Sequence, residues 1–354
     1  MQKVGVLMVA LALVLSVGAA AVHAQDGGAV ADPLGGATEF ARAQERTAVT
    51  LVLDWTPNTN HSGFYLAQAL GYYDEANLDV TIQEPTDLLV ESLVSNGAAQ
   101  FGISYQEFAT YALADGVPIV SVAAIIQHNT SGFVTLHDEN PITRPADLSG
   151  LRYGGFGQQD LEQAIINTLI ACDDGKPDSF EYIDVGWVDP FELMQHDRVD
   201  FAWIYYGWAG IEAELRGLTL DRLMLRDYAD CIPDYYTPIL ITSRDLAEQQ
   251  PDVVAAFVQA SARGFADAIA EPEQAAEVLS QAVPEADPEL IRASAEWLAS
   301  RYQADAPRWG QQSAGVWQGF SDFLVQHGIL AEGIDAEAAF TNAFLPGRVP
   351  EDAE

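Results

Sequence analysis

Lysine is almost missing from this 354-residue chain, with Lys3 and Lys176 the only two. The 16 Lys and Arg stand against 52 Asp and Glu, giving a formal net charge of −36. A surface of that sign repels nucleic acid and anionic membrane, so nucleic acid is excluded as a partner. It is a charge that keeps an exported or salt-exposed protein soluble. Cysteine is equally scarce. Cys172 and Cys231 sit in no Cys-x-x-Cys or Cys/His cluster, so no metal site is expected. In an oxidising compartment the two could form a single disulfide. No Gly-x-Ser-x-Gly occurs and the six histidines are scattered, so nothing points to a Ser/His/Asp triad and no catalytic residue is assigned. The glycine-rich run Gly154-Gly155-Phe156-Gly157 is neither Gly-x-Gly-x-x-Gly nor a Lys-[Ser/Thr] phosphate loop, and no cofactor is expected. Small residues ahead of a helix still let a ligand approach the backbone, which makes Gly155 a candidate contact.

What the chain does hold is apolar and aromatic: 49% and 10% of residues. That is enough for a sizeable core, and the length allows two domains. Residues 1–24 read as an export signal, with Lys3 as a weak positive start, an apolar run over Val4–Val22, and cleavage before Gln25. Retention of this run as a membrane anchor is the alternative. No later segment reads as a membrane span. Residues 25–47, rich in Gly, Ala and acid, read as a flexible tether.

From Ala48 strands and helices alternate, the pattern of a parallel sheet. Val49–Leu53, Leu78–Ile82, Gln100–Ser104 and Pro118–Ile126 are expected strands, and Phe133–Leu136, Leu151–Gly154, Phe180–Val185 and Val199–Tyr205 continue the series. After Ser243 the pattern turns helical. In such sheets ligands lie beyond the carboxyl ends of the strands. The chemistry-bearing residues at those ends are Asp54, Trp55, Asn58 and His61 after the first strand, Tyr105 after the third, Trp187, and the aromatic run Tyr205, Tyr206 and Trp208. Trp203, inside its strand, reads as core. Two aromatic walls supplied by two lobes would sandwich a planar heterocycle.

The motifs Leu53-Asp54-Trp55-x-Pro57-Asn58-x-x-His61, Gly71-Tyr72-Tyr73-x-x-x-x-Leu78-Asp79-Val80, Phe101-Gly102-Ile103-Ser104-Tyr105, Gly116-Val117-Pro118-Ile119-Val120-Ser121 and Asp147-Leu148-x-Gly150 occur in this order. In them the chain resembles the thiamine-pyrimidine-precursor- and riboflavin-binding family of ABC-importer solute-binding proteins, over roughly residues 49–345. The resemblance implies an α/β, two-lobed periplasmic-binding-protein-like (type II) fold with two crossover strands and a helical C-terminal portion. Mapped here, residues 48–132 and 241–345 form lobe one, 133–240 form lobe two, and 346–354 a tail. It further implies that Asp54, Trp55, Asn58, His61 and Tyr105 touch a ring from lobe one. Gln127 would do so from the crossover, and Tyr205, Tyr206 and Trp208 from lobe two, with Glu212 a partner for an amino or ribityl group.

The implied partners are a small heteroaromatic ligand and the permease and ATPase of an ABC importer at the extracytoplasmic face. The protein itself is expected to be a monomer. The heavily aromatic Trp203-Ile204-Tyr205-Tyr206-Gly207-Trp208 ranks riboflavin above formylaminopyrimidine, the thiamine precursor. A related fungal enzyme builds the thiamine pyrimidine from its own histidine and carries an iron-binding cysteine-rich run; this chain has no such run, and an enzyme ranks last.

Overall fold

Thr47–Val52 is rich in β-branched residues, and it is covered on both faces: Val49 and Leu51 enter one core and Val52, on the other face, another. It is the first of ten strands: β1 (Thr47–Val52), β2 (Leu78–Gln83), β3 (Phe101–Ser104), β4 (Ile119–Ala124), β5 (Ser131–Leu136), β6 (Arg152–Gly155), β7 (Glu181–Asp184), β8 (Phe201–Tyr205), β9 (Leu220–Met224) and β10 (Ile239–Ser243). The computed structural model describes Ala31–Gly347. The expected export signal, residues 25–30 of the tether and residues 348–354 of the tail lie outside the described residues.

Two five-stranded sheets form, ordered β2-β1-β3-β10-β4 and β7-β6-β8-β5-β9. They are mixed, not purely parallel as the alternating pattern implied. β10 runs antiparallel to β3 and β4, and β5 antiparallel to β8 and β9. The reason is topological. Each of these strands is the first to arrive from the other sheet, so it enters at the carboxyl ends of its neighbours and runs back against them. Ile239 opens β10 opposite Ser104, the last residue of β3, and Ser131 opens β5 opposite Tyr205, the last of β8. The crossings therefore fall a residue or two from the mapped boundaries: Ser131 and Gly132 already belong to the second sheet, and Ile239 and Leu240 to the first.

Three further expectations are corrected. The tether is not loose from Ala31 on. Its carbonyls at Ala31 and Pro33 accept from Gln303 and Trp309, Ala43 is buried, and the Arg263 guanidinium lies 4.9 Å over the Phe40 ring. Backbone hydrogen bonds dock it without any hydrophobic period, so composition gave no sign of order. Second, the helix Pro251–Ala270 is long and apolar enough, by composition, to span a membrane. It is instead the core helix of the first sheet, with Phe257 stacked on Phe101 at 4.0 Å. Third, the helix Ala314–Gln326 is not a lobe-one element alone. Trp317 packs under the first sheet, while Phe320, Phe323 and Leu324 enter the core of the second.

The helical portion starts its helices as the sequence dictates. Pro251, Pro272 and Pro288 occupy first turns, where no intrahelical N–H is needed. Gly264 allows the closest crossing: a methyl group there would overlap the Gly63 carbonyl of the facing helix Ser62–Ala69. In the second lobe Cys172, ending the helix Gln159–Cys172, is disulfide-bonded to Cys231 with the Cα atoms 6.1 Å apart.

Candidate functional site

The carboxyl ends of β1, β3, β6 and β8 converge on a cavity of about 200 Å3 between the two sheets. Seven of its 18 lining residues are aromatic: Trp55, Tyr105, Phe156, Trp187, Trp203, Tyr205 and Trp208. They come from both lobes and meet in pairs. Trp55 and Trp187, 47% and 59% exposed, face each other at the mouth with ring centroids 5.5 Å apart. Deeper in, Tyr105 and Tyr205 stack at 5.8 Å with planes 26° apart. Phe156 extends the lobe-two wall, 4.7 Å from Trp187 and 5.6 Å from Trp203. Trp208 sits in a single wide turn over Tyr206–Gly210, of the i→i+5 kind that recurs at functional sites.

Polar groups are few and ordered. Asp54 accepts a hydrogen bond from His61 Nε2 at 2.7 Å, and the backbone N–H of Asn58 donates into His61 Nδ1 at 3.1 Å. That second bond fixes the tautomer: Nδ1 accepts, so Nε2 carries the proton toward Asp54. Burial acts to raise the Asp54 carboxyl, yet His61 and the Tyr105 hydroxyl together hold it below the usual carboxylate range. The Tyr105 and Tyr205 hydroxyls are both pushed well up, chiefly by burial and then by the nearby carboxylates Asp54 and Glu107. Asp54 thus offers a fixed acceptor to an N–H or O–H donor within an apolar cleft.

Of the residues expected at the site, Asp54, Trp55, Asn58, Tyr105, Trp187, Tyr205 and Trp208 line the cavity. Asn58 does so with its amide already engaged, Oδ1 accepting from the Asn60 N–H and Nδ2 donating to the Thr56 carbonyl, so it shapes the loop. Five residues do not line it. His61 is wholly buried behind Asp54, a positioning group for the carboxylate. Gly155 faces Tyr182, whose ring a methyl group would overlap, while its neighbour Gly154 lines the cavity; the cavity lies beyond the strand ends and takes residues from both sheet faces, Ala202 and Ile204 as well as Trp203 and Tyr205. Tyr206, the first residue of the wide turn, points away from the cleft, and its hydroxyl meets Glu214 and Arg222. Glu212 lies beyond the wide turn, where its charge acts on Arg216. Gln127 is held in the crossover, its N–H donating to the Arg301 carbonyl at 3.3 Å.

Phe156 was not anticipated; it directly follows β6, and that position was the available signal. Asn60, in the turn after the first strand, also lines the cavity. Trp203, read as core, is both core and wall. It is 8% exposed, its Nε1–H donates to Ser131 Oγ at 2.7 Å, and one edge lines the cavity. Glu107, three residues past β3, does not line the cavity. It is buried with Oε2 unpartnered, and burial pushes its carboxyl up to about 8.

The crossovers behind the cleft are joined by His128. Its Nδ1 and Nε2 meet Asp234 and Asp305 at 2.5 and 2.7 Å, and two acceptor-only partners require both ring nitrogens to donate. Burial would lower its pKa, but the bonds to Asp234 and Asp305 raise it above its ordinary 6.5. A raised folded value contributes stability fully below pH 6.5, and that contribution is lost as pH climbs through the folded value. His128→Gln is therefore expected to cost about 1–2 kcal/mol at pH 6, discounted because Asp305 is largely exposed. The deficit should shrink in alkaline buffer. Denaturant midpoints of both proteins at pH 6 and pH 9 check this; a deficit that grows with pH contradicts it.

The family described as NMT1/THI5 like matches residues 58–275. The chain is 28% identical over 303 residues to a formylaminopyrimidine-binding protein of Halalkalibacterium halodurans, covering 83% of this chain and 89% of that one. It is 26% identical over 317 residues to a 4-amino-5-hydroxymethyl-2-methylpyrimidine phosphate synthase of Legionella pneumophila, covering 87% and 95%. It is 26% identical over 319 residues to the riboflavin-binding protein RibY of Chloroflexus aurantiacus, covering 84% and 86%. Among solved structures, the ligand-binding component of an ABC-type import system from Staphylococcus aureus superposes with a TM-score of 0.64 at 15% identity, covering 84% and 98%. The periplasmic aliphatic sulphonate binding protein SsuA of Escherichia coli does so at 0.62 and 17%, covering 87% and 98%. The fold is the two-lobed α/β fold of periplasmic binding proteins.

Proposed function

The chain belongs to the NMT1/THI5-like family, and from that premise we propose that it is the extracytoplasmic solute-binding component of an ABC importer whose ligand is riboflavin. The observation that carries the ligand is the aromatic lining contributed by both lobes. A ring sandwiched between Trp55 and Trp187 needs them about 7–8 Å apart, two van der Waals contacts of 3.5–4 Å. At 5.5 Å the two rings touch each other, so ligand entry parts the lobes by roughly 2 Å, a hinge motion of the kind such proteins use. A fused three-ring system then offers flat surface to Trp55, Trp187 and Phe156 at once, more than a single pyrimidine covers. Its imide N–H suits the fixed Asp54 acceptor.

Under this reading the protein binds and delivers, working as an exported monomer that docks on the permease of its importer. Formylaminopyrimidine is the second reading, favoured by Asp54 beside Asn60, which would take an exocyclic amino group. Catalysis is the reading from another class, in line with the synthase among the relatives. Against it stands the placement of His61, the histidine beside the cleft, which is buried behind Asp54.

The test is a fluorescence titration of the purified mature protein with riboflavin. Stacking on Trp and Tyr quenches flavin emission, so saturable quenching is expected. No quenching, together with a melting-temperature rise in formylaminopyrimidine, would transfer the protein to thiamine-precursor uptake.

A further inference from the structure

Beside the hinge lies a second cavity, of about 280 Å3, built unlike the first. Its lining brings together Arg222 and Arg226 from the lobe-two side and Arg301, just past the helix Pro288–Ala299, from the lobe-one side. In a chain with 16 basic against 52 acidic residues, three guanidiniums around one cavity need a reason.

Arg226 and Arg301 form no ion pair among the described residues. The Arg301 guanidinium sits over the Trp297 ring, 3.6 Å from its centroid, and donates to the Trp297 carbonyl, which aims the guanidinium without neutralising it. Arg222 is held over the Tyr206 ring at 4.6 Å, donates to its hydroxyl at 2.5 Å, and has one carboxylate near it, Glu214 at 3.6 Å. The other charged groups facing the cavity are Asp227 and His128, and His128 is occupied by Asp234 and Asp305. Burial and the charges of Arg226 and Arg222 together lower the Arg301 pKa, the mark of like charges crowded around one cavity, with Asp227 and Asp305 the carboxylates nearby.

We propose that this cavity is a binding site for a small oxyanion of the phosphate or sulfate class, held by Arg222 and Arg226 from one lobe and Arg301 from the other. Guanidinium forks match tetrahedral oxyanions in bidentate geometry, and the aromatic platforms under Arg222 and Arg301 hold two of the forks ready. The site is separate from the aromatic cleft and does not depend on which heterocycle the cleft takes. An anion there ties the two lobes together.

Isothermal titration with inorganic phosphate and with sulfate tests this, at fixed ionic strength against a chloride control and with no heterocycle present. The overall charge of −36 opposes adventitious anion uptake, so saturable one-to-one binding identifies a specific site. Arg226→Gln and Arg301→Gln are each expected to weaken it at least tenfold. Arg226 is exposed, so its variant keeps the fold and decides the matter even if the Arg301 variant unfolds. Heats no larger than those of chloride, or an affinity unchanged in Arg226→Gln, would overturn the proposal.

Discussion

Trp187→Ala is expected to weaken riboflavin binding roughly 30-fold while leaving the melting temperature nearly unchanged. The indole is 59% exposed, so truncating it removes little from the folded state, about 0.5 kcal/mol or less. In the proposed complex it would supply one face of the sandwich. Stacking of a flat heterocycle on an aromatic side chain is worth about 1–3 kcal/mol, and 2 kcal/mol corresponds to roughly a 30-fold change in Kd. Trp187→Phe should retain most of the affinity, because a ring is what the contact requires. Trp203→Ala should behave differently: its indole is part of the second-lobe core, so both affinity and stability are expected to fall. Flavin quenching and thermal melting of the three variants separate these cases. Native-like affinity in Trp187→Ala would remove the sandwich from the binding mode.

Replacing Cys172 and Cys231 together by serine is expected to destabilise the protein by about 4 kcal/mol. The bridge closes a loop of 59 residues, and the chain-entropy estimate for a loop of that length is about 4 kcal/mol at 25 °C. The loop spans β7, β8 and β9, so the lost constraint falls on the second sheet and its half of the cleft. Urea unfolding of the native and double-variant proteins measures the difference, and adding reductant to the native protein should reproduce it. A loss under about 1 kcal/mol would mean that the unfolded chain is already restrained by other means.

Most strands could be read from the chain because their signal is local. Val80 and Ile82 alternate with polar neighbours, Gly71 and Gly97 follow helices, and Pro251, Pro272 and Pro288 begin them. The crossings have no local signal of that kind: their mapping at 132/133 and 240/241 comes from the family resemblance, and the change to helices lies only after Ser243. What misled was every segment ordered by partners far along the chain. Residues 31–46 have no period of their own and are docked by Gln259, Gln303 and Trp309, more than 200 positions away. Phe320 and Trp317 are three residues apart yet serve different lobes, which no single amphipathic stripe announces.

The site divides in the same way. By itself the sequence determined which strand ends carry aromatic and carboxylate groups, since the ends of strands are marked by local periodicity. Only the tertiary structure decided which of those groups face the cleft. Tyr205 lines the cleft while Tyr206 turns to Glu214 and Arg222, and Gly154 lines it while Gly155 packs on Tyr182, because the cleft is closed by whichever side chains the facing sheet leaves room for beyond the strand ends, not by one face of a strand. It also decided that His61 stands behind Asp54, and that His128 meets Asp234 and Asp305, 106 and 177 positions away. The gathering of Arg222, Arg226 and Arg301 in an acidic chain is of the same kind. A charge has no period, and its neighbours are known only once the lobes are folded against each other.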